Sequence, residues 1–181
     1  MLTRNPNVCN GRKAAISTFF FGTSGATRTI MSMSRFLALW THPNFEPAQV
    51  SSADFEAVER ELQSGLPSDY KDAMLEFGLP RPTLELLNAI CDRELDLHPV
   101  SDFFDPEEII DVTTDWRDLG LPEELVAFAT DGMGNLFCFH SDPNESGLRP
   151  VFLWDHDTKA AHTVALSFSS WIEGFCHLAS N

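Results

Sequence analysis

The segment from 125 to 166 holds four short apolar runs in succession, 125–129, 136–139, 151–154 and 161–166, with turn-forming residues between them. Each has the length of an ordinary strand, about five or six residues. The first two are joined by Asp131-Gly132-Met133-Gly134-Asn135, whose glycines accept the positive φ of a hairpin loop, and the last two by the polar run 155–159. Strands joined by short turns must run antiparallel. This stretch commits the chain to an antiparallel sheet, around which everything else has to pack.

Upstream the periodicity is helical. Ser51-Ser52-Ala53-Asp54 makes a capping-box-like start, and Phe55, Val58 and Leu62 follow at helical spacing until Gly65. Pro67 suits a first helical turn, Tyr70, Ala73, Met74 and Phe77 form one apolar stripe, and Gly78 supplies the stop. A third helix is expected over 83–91, with Leu84, Leu87 and Cys91 on one face. Leu95 and Leu97 alternate with Asp96 and His98, the pattern of a short half-buried strand ended by Pro99. Asp105-Pro106-Glu107-Glu108 opens another helix, with an N-cap side chain, a first-turn proline and two carboxylates at the positive end of the helix dipole. Ile109, Val112 and Trp116 give its buried face; Gly120 and Pro122 end it. Ser167 caps a closing helix on which Phe168, Trp171, Ile172, Phe175 and Leu178 recur at helical spacing. The expected class is α+β, in the order ααα-β-α-ββββ-α, with one face of the sheet on helices and the other open to a partner.

With 181 residues, 43% of them apolar, the chain can close one sizeable core. Its most apolar run, around Phe19, Phe20 and Phe21, is cut by Gly22 and Ser24, well short of the roughly 20 apolar residues of a membrane helix. The formal charge of −15 disfavours direct contact with nucleic acid or acidic membranes, since both demand a basic surface. It suits a basic protein partner, or simply keeps the chain in solution. Cys9, Cys91, Cys138 and Cys176 are widely spaced and form no metal-ligand pattern, so reduced thiols and a cytoplasmic location are expected.

Residues 1–30 differ in composition, with Arg4, Arg12, Lys13 and Arg28 but no acidic residue. Three readings compete: a weak export signal, a disordered arm, or a start assigned upstream of Met31 or Met33. The remainder carries 8 basic against 27 acidic residues, a net −19. The expected organisation is a basic tail over 1–49 and a binding domain over 50–181.

Several words of the sequence, taken in order, resemble the SUKH superfamily of fungal cell-wall-assembly regulators and bacterial toxin-immunity proteins. They are Leu66-Pro67-Ser68-Asp69-Tyr70-Lys71 running into Phe77-Gly78, then Phe103-Phe104 with Pro106-Glu107-Glu108-Ile109, then Trp116. The densest block is Leu121-Pro122-Glu123-Glu124-Leu125, Phe128-Ala129, Asp131-Gly132, Gly134-Asn135 and Phe137-Cys138-Phe139, completed by Pro150-Val151, Trp154-Asp155-His156-Asp157, Ser167-Phe168 and Trp171-Ile172. The basic tail has no counterpart in that pattern, and the 83–91 segment lies where the family varies. The resemblance implies a twisted antiparallel sheet with helices around it, no catalytic activity, no cofactor, and a role as a cytosolic antidote to a nuclease or deaminase toxin. It also allows a regulatory scaffold of the cell-wall-regulator type. A basic toxin domain as partner agrees with the acidic charge, because a nuclease needs a basic substrate channel that an acidic protein can mask.

The expected contact residues are Asp131, Asp142, Trp154, Asp155 and Asp157, with Trp116 and Trp171 assigned to the core by their helical stripes. Asp155, His156, Asp157 and His162 offer the one set of side chains that could hold a metal for hydrolysis, against the reading of a solvated turn in which aspartates cap their own backbone. No metal site is expected. The 131–135 loop lacks the spaced oxygens and closing glutamate of a calcium loop. Sheet edges can pair between copies, so either a monomer or a homodimer is expected.

Overall fold

Each of the four apolar runs forms a strand. The computed structural model describes residues 25–92, 97–142 and 148–178. Helices α1 (Gly25–Trp40), α2 (Ser52–Glu61), α3 (Ser68–Phe77) and α4 (Leu84–Cys91) come first, then strand β1 (Asp102–Phe103) and helix α5 (Pro106–Leu119). Strands β2 (Leu125–Thr130), β3 (Leu136–His140), β4 (Val151–Asp155) and β5 (Ala160–Ala165) follow, and helix α6 (Phe168–His177) closes the fold. The five strands make one antiparallel meander in chain order. The α+β class and its order agree with the sequence reading, with α1 added in front.

Side chains alternate across a sheet, so Phe137 and Phe139 share a face with their β4 partners Leu153 and Val151, while Leu136 and Cys138 share the other with Trp154 and Phe152. The first face carries an aromatic core. Phe128 stacks on Phe139 at 3.9 Å, and Tyr70 from α3 and Phe168 and Trp171 from α6 close over them. The second face is not open, as expected from sequence, but covered by α5, whose Trp116 lies against Trp154. The reason is legible in the strands: β2, β3 and β4 are apolar nearly end to end, the composition of strands buried on both sides. A bulge at Phe128 shifts the β2–β3 register between Ala127 and Ala129, and the Ala127 amide there donates to the buried Thr113 hydroxyl of α5 at 3.0 Å.

The predicted helix starts are present as reciprocal capping boxes at Ser51 with Asp54, Asp105 with Glu108 and Ser167 with Ser170. Three details differ from the sequence reading. Within the expected tail, residues 1–24 lie outside the described residues, but Gly25–Trp40 is a helix that buries Thr29, Met33, Phe36 and Trp40. It docks on α6, where the Trp40 indole donates to the Phe175 carbonyl at 3.0 Å and the Phe36 and Phe175 rings meet edge-on. On α4 the buried residues are Leu86 and Ile90, whereas Leu84, Leu87 and Cys91 face outward. The strand expected from Leu95 to His98 falls partly outside the described residues; Leu97 and His98 are not in a strand, and β1 forms after Pro99, where Phe103 pairs with Ala129.

Candidate functional site

The sequence of α5 puts Ile109 and Thr113 inward and leaves Glu107, Asp111 and Asp115, four residues apart, on the opposite side with Asp118 one turn on. All four are exposed, and among the described residues none of them is in an ion pair. Like charges at this spacing repel along a helix. The ridge is held in place by burial of the other face and by the Asp105 cap, whose first-turn carboxylates suit the dipole. It is a local cost that the fold carries.

The C-terminal half of α5 leans on the β4–β5 turn. Trp116, half-buried, stands edge-on to Trp154 at 5.2 Å and to the His156 ring at 6.2 Å. Beyond it, Gly120 turns at φ 113°, and a Cβ there would come within 3.2 Å of the Lys159 side chain. The turn itself is built by Asp155, whose Oδ1 accepts from the amides of Asp157 and Thr158, each at 2.9 Å. These bonds, the Thr158 amide foremost, hold the Asp155 carboxyl below its usual range.

The β2–β3 loop joins the same surface. Asp131 is buried, its carboxylate accepting from the Met133 amide at 2.8 Å, the Asn135 amide at 3.2 Å and the Asn135 side chain at 2.7 Å. With its amide nitrogen committed to Asp131, Asn135 turns Oδ1 to His156, accepting from the backbone amide at 3.3 Å and facing Nδ1 at 3.1 Å. The other ring nitrogen, Nε2, faces Asp157 Oδ1 at 3.2 Å. Gly134 allows the approach: a Cβ there would lie 3.0 Å from the imidazole. Met133 at the loop tip is 79% exposed, as Leu119 at the end of α5 is 55%.

The outcome for the expected contact residues is mixed. Asp131, Trp154, Asp155 and Asp157 converge at one end of the sheet, where the β2–β3 and β4–β5 connections meet. Asp142 follows β3 at the opposite end, its amide donating to His140 Nδ1. Trp154 is fully buried and Asp131 nearly so; both build the surface from beneath instead of presenting themselves. Of the tryptophans, Trp154 alternates onto the α5-covered face and is buried there, while Trp116 packs against the core, partly buried, as expected. Sequence reasoning passed over the α5 ridge, although its four-residue spacing was readable.

The metal reading loses one member. The ligand atoms of Asp155, His156 and Asp157 lie within 4.8 Å of one another, but His162 is not among them; its ring lies 6.0 Å from that of His98. Asp155 and His156 already make the hydrogen bonds that shape the turn. A separate crevice of about 520 Å³ opens between the starts of α1, α3 and α6. Three of its charged side chains are engaged in the fold: Asp69 accepts from the Ser169 amide, Arg149 donates to the His140 carbonyl and Arg28 pairs with Glu173, while Asp72 is exposed.

The arrangement offers an acidic outward face on α5 and, on the helix's sheet side, a partly exposed Trp116 beside the acidic β4–β5 turn. The model of the SMI1 / KNR4 family (SUKH-1) matches residues 49–174, a span that takes in α2 through most of α6 and leaves α1 outside. No curated protein matches the chain.

Proposed function

The chain belongs to the SMI1 / KNR4 family (SUKH-1), and from that premise we propose that it is an immunity protein that neutralises a cognate toxin by binding over the active site. The family includes toxin-immunity proteins and SMI1/KNR4-type regulators, and is generally non-enzymatic. No helix among the described residues is long and apolar enough to cross a membrane.

The observation that carries the reading is the unpaired ridge Glu107, Asp111, Asp115 and Asp118 along the outward face of α5. Four like charges on one exposed helical face bring the fold no stability. They do attract a basic surface, steer its approach and penalise acidic competitors. Toxins that cut or deaminate nucleic acid expose such a surface, since their substrate is a phosphate chain. Partial burial of Trp116, with Met133 and Leu119 nearby, supplies the aromatic and apolar area in which interface energy concentrates. Asp142, at the far end of β3, belongs to this surface only for a partner long enough to reach it.

The test is co-expression of the full chain with the nuclease or deaminase domain encoded beside its gene. A stable complex that abolishes the toxin's activity is the expected result. A neighbouring toxin that stays active and unbound contradicts the proposal. The regulatory-scaffold reading, in which the same surface gathers cellular proteins, predicts instead that several unrelated proteins compete for the ridge.

A further inference from the structure

The sheet has two edges, and they are unlike. At one end β1 is two residues long, begins with the charged Asp102, and faces Leu79, Pro80 and Arg81 across a narrow cleft. Shortness, charge and cover are the usual devices against unwanted strand pairing. At the other end β5 is six residues, Ala160–Ala165, its first four exposed. The strand contains no charged residue and no proline. Its inner edge pairs with β4, and among the described residues no backbone group bonds to its outer edge. Leu166, directly after it, is 65% exposed.

We infer that the outer edge of β5 pairs antiparallel with β5 of a second copy, extending the sheet across a two-fold axis. An open strand edge asks for another strand, since only a strand satisfies its row of amides and carbonyls. The choice of a second copy rests on charge. At a net −15, contact between copies almost anywhere sets acidic residues against each other, and the α5 ridge and the Asp155–Asp157 turn do so most strongly. In the two-fold register that pairs Ala160 with Ala165, the facing residues are only alanine, histidine, threonine and valine. The contact is isologous, as in most soluble dimers. It does not use the α5 ridge, and it stands or falls independently of the proposed toxin partner.

Salt separates the two kinds of association. Two like-charged bodies repel, and salt screens that repulsion, so the dimer strengthens as salt rises, whereas a complex with a basic partner weakens. Sedimentation equilibrium of the full chain alone, at about 50 and about 300 mM salt, is expected to show a monomer–dimer equilibrium tighter at the higher salt. Thr163→Lys sets two ammonium groups near the axis and is expected to weaken the dimer about tenfold or more. Hydrogen exchange on the unmodified chain gives a second readout: β5 amides gain protection as protein concentration rises. A chain monomeric under all these conditions overturns the inference. So does a dimer indifferent to Thr163→Lys, or one that leaves the β5 amides unprotected. Protection of those amides only after a different protein is added assigns the edge to that protein and overturns it too.

Discussion

The hydroxyl of Thr113 on α5 accepts the backbone amide of Ala127 on β2 at 3.0 Å, both residues buried, at the point where the Phe128 bulge breaks the β2–β3 ladder. A helix side chain thus completes the hydrogen bonding of a sheet, and fixes where α5 sits on the face it covers. Thr113→Val keeps the shape and removes the acceptor, leaving the amide buried and unsatisfied. The expected loss is about 1–3 kcal/mol in urea unfolding, with Thr113→Ser recovering most of it.

Tyr70 is the chain's single tyrosine, buried among Phe55, Phe128, Phe139 and Phe168, with no hydrogen-bond partner for its hydroxyl among the described residues. Burial pushes its pKa upward. Tyr70→Phe removes an unsatisfied polar atom and keeps the ring packing. It should raise stability by about 1 kcal/mol, read as a higher urea midpoint at unchanged slope. A lower midpoint would mean that the hydroxyl has a partner.

Two carboxyls should give opposite pH dependences. Burial pushes the Asp69 carboxyl above its usual 3.8, against the pull of the Ser169 and Tyr70 amides. The folded state therefore holds that proton more tightly than the unfolded chain. The advantage is present below 3.8 and is lost as pH rises through the folded value. Burial also acts upward on Glu59, but the Lys71 ammonium at 2.7 Å and the Leu66 amide at 2.8 Å outweigh it and hold the carboxyl below 4.5. Its contribution is full above 4.5 and is lost as pH falls through the folded value. Asp69→Asn removes the titrating group but also one of the two oxygens that accept the Tyr70 and Ser169 amides, so it should abolish this pH dependence without raising stability at neutral pH. Glu59→Gln should cost about 1 kcal/mol at neutral pH and little in acid. Urea midpoints over the acid-to-neutral range check both signs.

The ridge on α5 predicts a conflict between stability and binding. Exchanging Asp111 or Asp115 for lysine replaces like-charge neighbours with attractive ones, each worth about 0.2–0.5 kcal/mol. The thermal midpoint should hold or rise. A clear fall would mean that the ridge has a structural partner.

How much of this the sequence discloses depends on the kind of interaction. Local rules located Ser51, Asp105 and Ser167 as helix caps and the glycines of the 131–135 loop as a hairpin, because each satisfies its backbone within a few residues. Periodicity also carried the four strands. Choices between two faces were not decided locally. Leu84 and Leu87 have the spacing of a buried stripe, yet Leu86 and Ile90 are the pair that meets the core. Trp154, expected at a contact surface, is buried beneath α5 for the same reason. Helix α1 was hidden by its neighbours: Met33, Phe36 and Trp40 have helical spacing, but they continue a basic, acid-free stretch that reads as a tail.

Toxin neutralisation as proposed requires the α5 ridge to bind a basic toxin domain. It is tested most directly by titrating the chain and its Asp111→Lys/Asp115→Lys variant with the toxin domain encoded beside its gene, at low and high salt. The variant, folded and no less stable, is expected to bind at least about tenfold more weakly, and the unmodified chain to lose affinity as salt rises while the variant loses less. Equal affinity of the two proteins at both salts would contradict it.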